Sequence, residues 1–248
     1  MKKKRIIIAF AALILVISLL GCEPENNSEP SLTPVISDTP TPSPTPGADT
    51  TCNGCNDDFG NYLTPAPEKP VIYLYPEVPT EVTVRLDFNG RLTFTYPEYK
   101  EAWRVMAYPD GRLECSETNR DYAYLFWEGI SNVPYDMSHG FVVKGCDTVE
   151  FLENILLKMG LNSKECNDFI VYWAPRMINN PYNLINFQTN VYTDNAKLEI
   201  DPEPDSMLRV FMTFKALDKP IEIGEPEIET IFERNGFCVV EWGGAEIK

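Results

Sequence analysis

Histidine is nearly missing from this chain. His139, in DMSHGFVV, is the sole one among 248 residues. A catalytic zinc site commonly takes two or three imidazoles, and a Ser-His-Asp or Cys-His system would have to use this one ring. Ser138 would point away from it on a strand, so His139 reads as a surface-loop residue. No G-x-S-x-G, H-E-x-x-H, P-loop or G-x-G-x-x-G occurs, so the signatures of those hydrolases and nucleotide-binding proteins are missing. No metal and no cofactor is expected. Basic side chains are scarce, with 21 Lys and Arg against 37 Asp and Glu, a net charge of −16. That balance speaks against nucleic acid, whose binders need basic patches. It also speaks against a body lying flat on anionic lipid. Solubility is the plain reason for such acidity, and attraction of cations or basic partners is the other. Long hydrophobic runs are lacking too. The longest, Ile6 to Gly21, holds 16 residues with only Ser18 polar, short of the ~20 that cross a bilayer.

What precedes and follows that run gives it meaning. Lys2, Lys3, Lys4 and Arg5 form a basic start, and a polar, Pro-rich segment follows at once. The pattern is that of a secretory signal. Leu19-Leu20-Gly21-Cys22 resembles the lipobox of bacterial lipoproteins. The resemblance implies that Cys22 carries a diacylglycerol, that residues 1–21 are a signal peptide cut away before it, and that the chain is held on the extracytoplasmic face of a membrane. The alternatives are a short uncleaved anchor or a buried helix with an incidental cysteine. Two acyl chains attach stably where one is marginal. Loss of residues 1–21 would remove four of the basic side chains and no acidic one, leaving −20.

Residues 22–67 read as a disordered, acidic, Pro/Thr-rich linker. Thr39-Pro40-Thr41-Pro42-Ser43-Pro44-Thr45-Pro46 alternates strictly with proline, which favours polyproline II. Too few apolar residues are present to form a core. Stretched at ~3.1 Å per residue, such a segment reaches on the order of 140 Å, and as a flexible coil about 40 Å. It is a spacer, and the domain behind it is expected to fold without it. Besides Cys22 six cysteines remain, in a compartment that permits disulfides. Cys52-Asn53-Gly54-Cys55 lacks the helix and folded surround of a redox pair, so a local disulfide or two exposed thiols is the better reading. Cys115, Cys146, Cys166 and Cys238 are too scattered for a four-Cys zinc site, and pairing or lone buried thiols both remain open.

From about residue 68 to 248 the texture is that of one mainly β domain, antiparallel and sandwich-like, with a helical insertion around 148–168; an α+β arrangement is the alternative. PVIYLYP is apolar on both faces, as a central strand would be. EVTVRLDFNGRLTFTY alternates cleanly and reads as a hairpin through Asn89-Gly90-Arg91 that sets Phe88 against Leu92. Pro109-Asp110-Gly111 sets Ala107 opposite Leu113. DTVEFLENILLKMGLN has helical spacing, capped by Asp147 or Thr148 and ended by Gly160. Ser163 would cap a second short turn. FIVYWAP reads as a strand stopped by Pro175, and YNLINFQTNVY, AKLEI, SMLRVFMTFKAL and FCVVEWGG as further strands. The acidic stretch 190–206 does not match an EF-hand loop and reads as a solvated strand and turn.

KPVIYLYPE, YLFWEG, EFLENILLKMGLN…FIVYWAPRM, PEPDSMLRVFM and GFCVVEWGG resemble a family of uncharacterised secreted or lipid-anchored proteins, over essentially all of residues 69–244. The resemblance implies one structural unit and carries no reaction or ligand. The leading functional reading is a surface-displayed binding or structural module, recognising carbohydrate, peptide or an envelope protein. An extracytoplasmic glycoside-type hydrolase and an envelope-assembly subunit are the alternatives. For hydrolysis the candidates are Glu128 and Glu241, each ending an apolar strand beside Trp and Gly, where desolvation raises a carboxylate's pKa. Trp127 and Trp242 are the matching ligand-binding candidates. The competing account makes both glutamates structural, bonded to backbone or to an arginine such as Arg104 or Arg209. Most of the many aromatics fit inward faces.

Overall fold

The structure is a computed structural model that describes residues 67–228 and 232–248. The leader, Cys22, the linker up to residue 66, Cys52 and Cys55 lie outside the described residues. The strands are β1 (Glu68–Tyr75), β2 (Thr80–Phe88), β3 (Arg91–Tyr96), β4 (Trp103–Ala107), β5 (Leu113–Cys115), β6 (Arg120–Tyr122), β7 (Leu125–Ile130) and β8 (Phe141–Lys144). After helices α1 (Thr148–Met159) and α2 (Ser163–Met177) come β9 (Tyr182–Phe187), the short helix α3 (Thr189–Asn195), β10 (Ala196–Asp201), β11 (Ser206–Leu217) and β12 (Cys238–Glu246).

Two sheets result. The larger runs β3-β7-β1-β12-β11-β9-β8 and the smaller β10-β2-β4-β5-β6. All pairings are antiparallel except β11 with β12, which is parallel. The domain is therefore mainly β, as the sequence indicates, and the helices form a third layer. Alternation along β1 explains the layering, because neighbouring side chains on a strand point to opposite faces. Ile72 and Leu74 face the smaller sheet with Val84, Trp103, Leu113 and Phe211. Val71 and Tyr73 face the helices with Leu152, Phe169, Trp173 and Trp242. β1 thus buries both faces, in keeping with its double apolar pattern.

Four local expectations are corrected. No hairpin joins β2 to β3: β2 pairs with β10 and β4, whereas β3 pairs with β7 in the other sheet. Asn89 and Gly90 carry the chain from one sheet to the other. FIVYWAP is not a strand but the second half of α2, with Pro175 inside the helix. Its missing N–H would have bonded to Val171, which is well exposed, so water can serve that carbonyl. The α2 cap is Asn162, not Ser163: its side chain accepts from the Glu165 N–H while the Glu165 carboxylate accepts from the Asn162 N–H. FQTNVY also bends out of β9 into α3. Gly160 ends α1 at φ 105°, and Ala107 does pair with Leu113.

The four cysteines of the described residues are free thiols, Cys146 exposed and the other three buried. Burial pushes the Cys166 thiol up to about 11.

Candidate functional site

The two candidate carboxylates point to opposite faces of the larger sheet. Glu241 lies on the side of the smaller sheet, fully buried. Its Oε2 accepts from Arg209 Nε at 2.6 Å and its Oε1 from Trp127 Nε1 at 3.1 Å. Arg209 is nearly as buried, lies 4.9 Å from the Tyr192 ring centroid and donates to the Ala196 carbonyl. Glu241 is sealed in a paired, hydrogen-bonded network, with Arg209 the partner that the structural account named. Glu128 follows Trp127 on the same strand and so faces the helix side. A direct acid–base pairing of the two across one substrate is thereby excluded. The tryptophan candidates change in the same way. Trp127 packs between the sheets against Phe88 and Trp242 under the helices against Phe169, both at 0 % exposure. Neither offers a ring face to a ligand.

The helix side of β7 is half-buried and runs into the more exposed edge strand β3, forming a shelf. Phe94, opposite Glu128 in the register, is 55 % exposed, and its ring meets Phe126 edge-on at 5.8 Å. Tyr172 of α2 walls this shelf, its hydroxyl donating to Glu68 Oε2 at 3.2 Å. Burial and the negative charge of Glu68 push the Tyr172 hydroxyl up to about 12. The guanidinium of Arg176 stacks on the Tyr172 ring at 3.9 Å.

Lys69 sits at the centre of the shelf, and the local backbone puts it there. Glu68 pairs with Gly244 and Val71 with Trp242, so β1 carries one residue more than β12 between those points. This is a β-bulge, the device by which a strand re-aims a side chain. Lys69 takes φ +57° in it, a left-handed conformation that is costly for a residue with a Cβ. Pro70 lies so close to Gly243 that a Cβ there would stand 3.1 Å from the proline. The lysine ammonium lies 5.2 Å from the Tyr124 and Phe126 ring centroids and 5.6 Å from that of Tyr172. It also donates to the Tyr124 hydroxyl at 3.3 Å. Glu128 completes the shelf. Loss of solvent raises its pKa, the Lys69 backbone N–H and ammonium oppose that rise, and the Glu68 charge reinforces it.

Sequence reasoning finds Glu128 here but misses Glu68, Lys69, Phe94, Phe126 and Tyr172. A helical reading of FIVYWAP would have set Tyr172 and Arg176 one turn apart on one face.

His139 is exposed, as a loop residue is. Ser138 Oγ lies 2.9 Å and Asp136 Oδ2 3.6 Å from the same ring nitrogen, Nδ1. A relay needs its nucleophile and its carboxylate on opposite nitrogens, so these three do not form one. Two clefts lie elsewhere. One of about 440 Å³ runs beside Asn89, Arg91, Asn132 and Asn195, and one of about 420 Å³ on the outer face of the smaller sheet beside Arg104 and Glu114. No candidate glutamate or tryptophan lines either.

A stretch of 64 residues is 48 % identical to a protein of Butyrivibrio fibrisolvens whose description is "Uncharacterized protein in bglA 3'region". The match covers 25 % of this chain and 65 % of that protein, so the chain spans just under two thirds of that relative's length. No family model and no solved structure matches the chain.

Proposed function

We propose that the protein is a membrane-anchored lipoprotein, tethered through Cys22, that displays a binding module on a Pro/Thr-rich spacer. The shelf over β3 and β7 is its contact face. One observation carries this reading: exposed Phe94 and half-buried Tyr124, Phe126 and Tyr172 gather with Glu68, Lys69 and Glu128 on one face, while Glu241 and all four tryptophans are buried in the cores. Exposed rings beside hydrogen-bonding side chains are what recognition surfaces use. The test is retention on washed bacterial envelopes of the mature chain carrying Cys22→Ser, which has no lipid to hold it there. Phe94→Ala, which removes an exposed ring, should lose retention while keeping its melting midpoint within a few degrees. Equal retention of both proteins would remove the shelf from the reading. Cys22→Ser should leave the protein uncleaved or release it to the medium.

Hydrolysis is the second reading, favoured by the raised Glu128 carboxyl with Glu68 nearby. Such an enzyme would work from this shelf, with Glu128 as the general acid.

A further inference from the structure

The rings around Lys69 make a cage, and the chain fills it with its own cation. Tyr124, Phe126 and Tyr172 stand 5.2–5.6 Å from one ammonium, within the reach at which aromatic faces attract cations. Glu68 is fixed at the cage wall by the Tyr172 hydroxyl, and Glu128 interacts with both Glu68 and Lys69. With Lys69 in place these two carboxylates are balanced by Lys69 and by Arg176 behind Tyr172. With Lys69 swung out they outnumber the one cation left. The lysine is only half-buried, so solvent lies open to it as an alternative. Its hold on the cage is three ring contacts, one hydrogen bond and the attraction of Glu128, and an incoming ammonium replaces the ring contacts and the charge in kind. The chain's −16 charge draws cations toward it at long range.

We propose that this cage is a binding site for a small organic ammonium ion of the choline type, and that Lys69 is an internal competitor the ligand displaces. The proposal rests on reading the shelf as a binding face, and it names the ligand class of that face. Lys69 is the gate because the bulge points it inward. Glycine at this position takes φ +57° without strain and leaves the cage empty.

The experiment titrates the full mature protein with choline chloride by calorimetry. Its neutral isostere, 3,3-dimethylbutan-1-ol, is titrated in parallel. Lys69→Gly should bind choline at least about tenfold more tightly than wild type, and at least about tenfold more tightly than it binds the isostere. Adding Tyr124→Ala should abolish that gain. Should Lys69→Gly fail to fold, Lys69→Asn serves, because asparagine tolerates the left-handed region. Equal affinity in wild type and variant would overturn the proposal, as would equal binding of the neutral isostere. Envelope retention that depends on Phe94 without choline binding would overturn this inference alone and leave the binding face standing.

Discussion

Glu241 and Glu128 share a sequence setting and differ in every physical respect. Glu241 has exchanged water for Arg209 and Trp127, and removing one partner of such a pair strands the other charge. Glu241→Gln should cost about 3–5 kcal/mol in urea unfolding, whereas Glu241→Leu with Arg209→Met should cost less than that single change. A double variant that loses more would show the pair to be a net contributor. Glu128 is half-exposed, with its pKa raised by desolvation. An acid with a higher pKa folded than unfolded holds its proton more tightly in the fold. Its ionisation weakens the fold, starting at the ordinary glutamate range and ending above the raised value. Glu128→Gln should therefore match wild type at roughly pH 3.5 and be the more stable at roughly pH 7. Urea midpoints at the two pH values check this, and a variant less stable at neutrality reverses the assignment. Nothing local separates LFWEG from VVEWGG. The difference lies in Arg209, brought alongside by the parallel pairing of β11 with β12.

At the scale of elements, the glycines ending VVEWGG explain why the motif takes no side chains there. A Cβ on Gly243 would crowd Pro70, and one on Gly244 would stand 2.5 Å from the Met212 carbonyl and 2.7 Å from the Trp173 indole. Gly244→Ala should thus lower stability by about 1–3 kcal/mol through overpacking. Thermal unfolding followed by tryptophan fluorescence reads it, and an unchanged midpoint would show that Trp173 shifts freely. The sequence made β1, α1 and the turn before β5 legible, because each is set by its own residues: a two-faced apolar run, a 3.6-residue period, a Pro-Asp-Gly. β2 and β3 were not legible as members of two sheets. A clean alternation states which side chains share a face and leaves the partner strand open. In α2 the aromatic and β-branched residues imitate a strand, yet Cys166, Phe169, Trp173 and Met177 keep a helical spacing and are all buried. Lys69 was beyond reach for a different reason. Its bulge depends on Gly243 and Gly244, which lie at the far end of the domain's sequence.

At the scale of the whole domain, one sheet serves two cores. The larger sheet gives Ile72 and Phe211 to the inter-sheet core and Val71 and Trp242 to the helix-side core, so neither core can dissolve without exposing a face of the strands that hold the other. The many aromatics of the sequence went mostly to these cores. The shelf is built from exposed Phe94 and from Tyr124, Phe126 and Tyr172 at the half-buried margin of the helix-side core, and only burial could sort them. β1, the first strand of the domain, has β12, the last, as its neighbour in the middle of this sheet. Contacts that span a whole chain form slowly, because a long loop must close before they can. A ribosome making this domain releases β1 well before β12, so the larger sheet has no middle until β12 follows. The domain therefore stays unfinished through most of its own synthesis, with one edge and both apolar faces of β1 still to be covered.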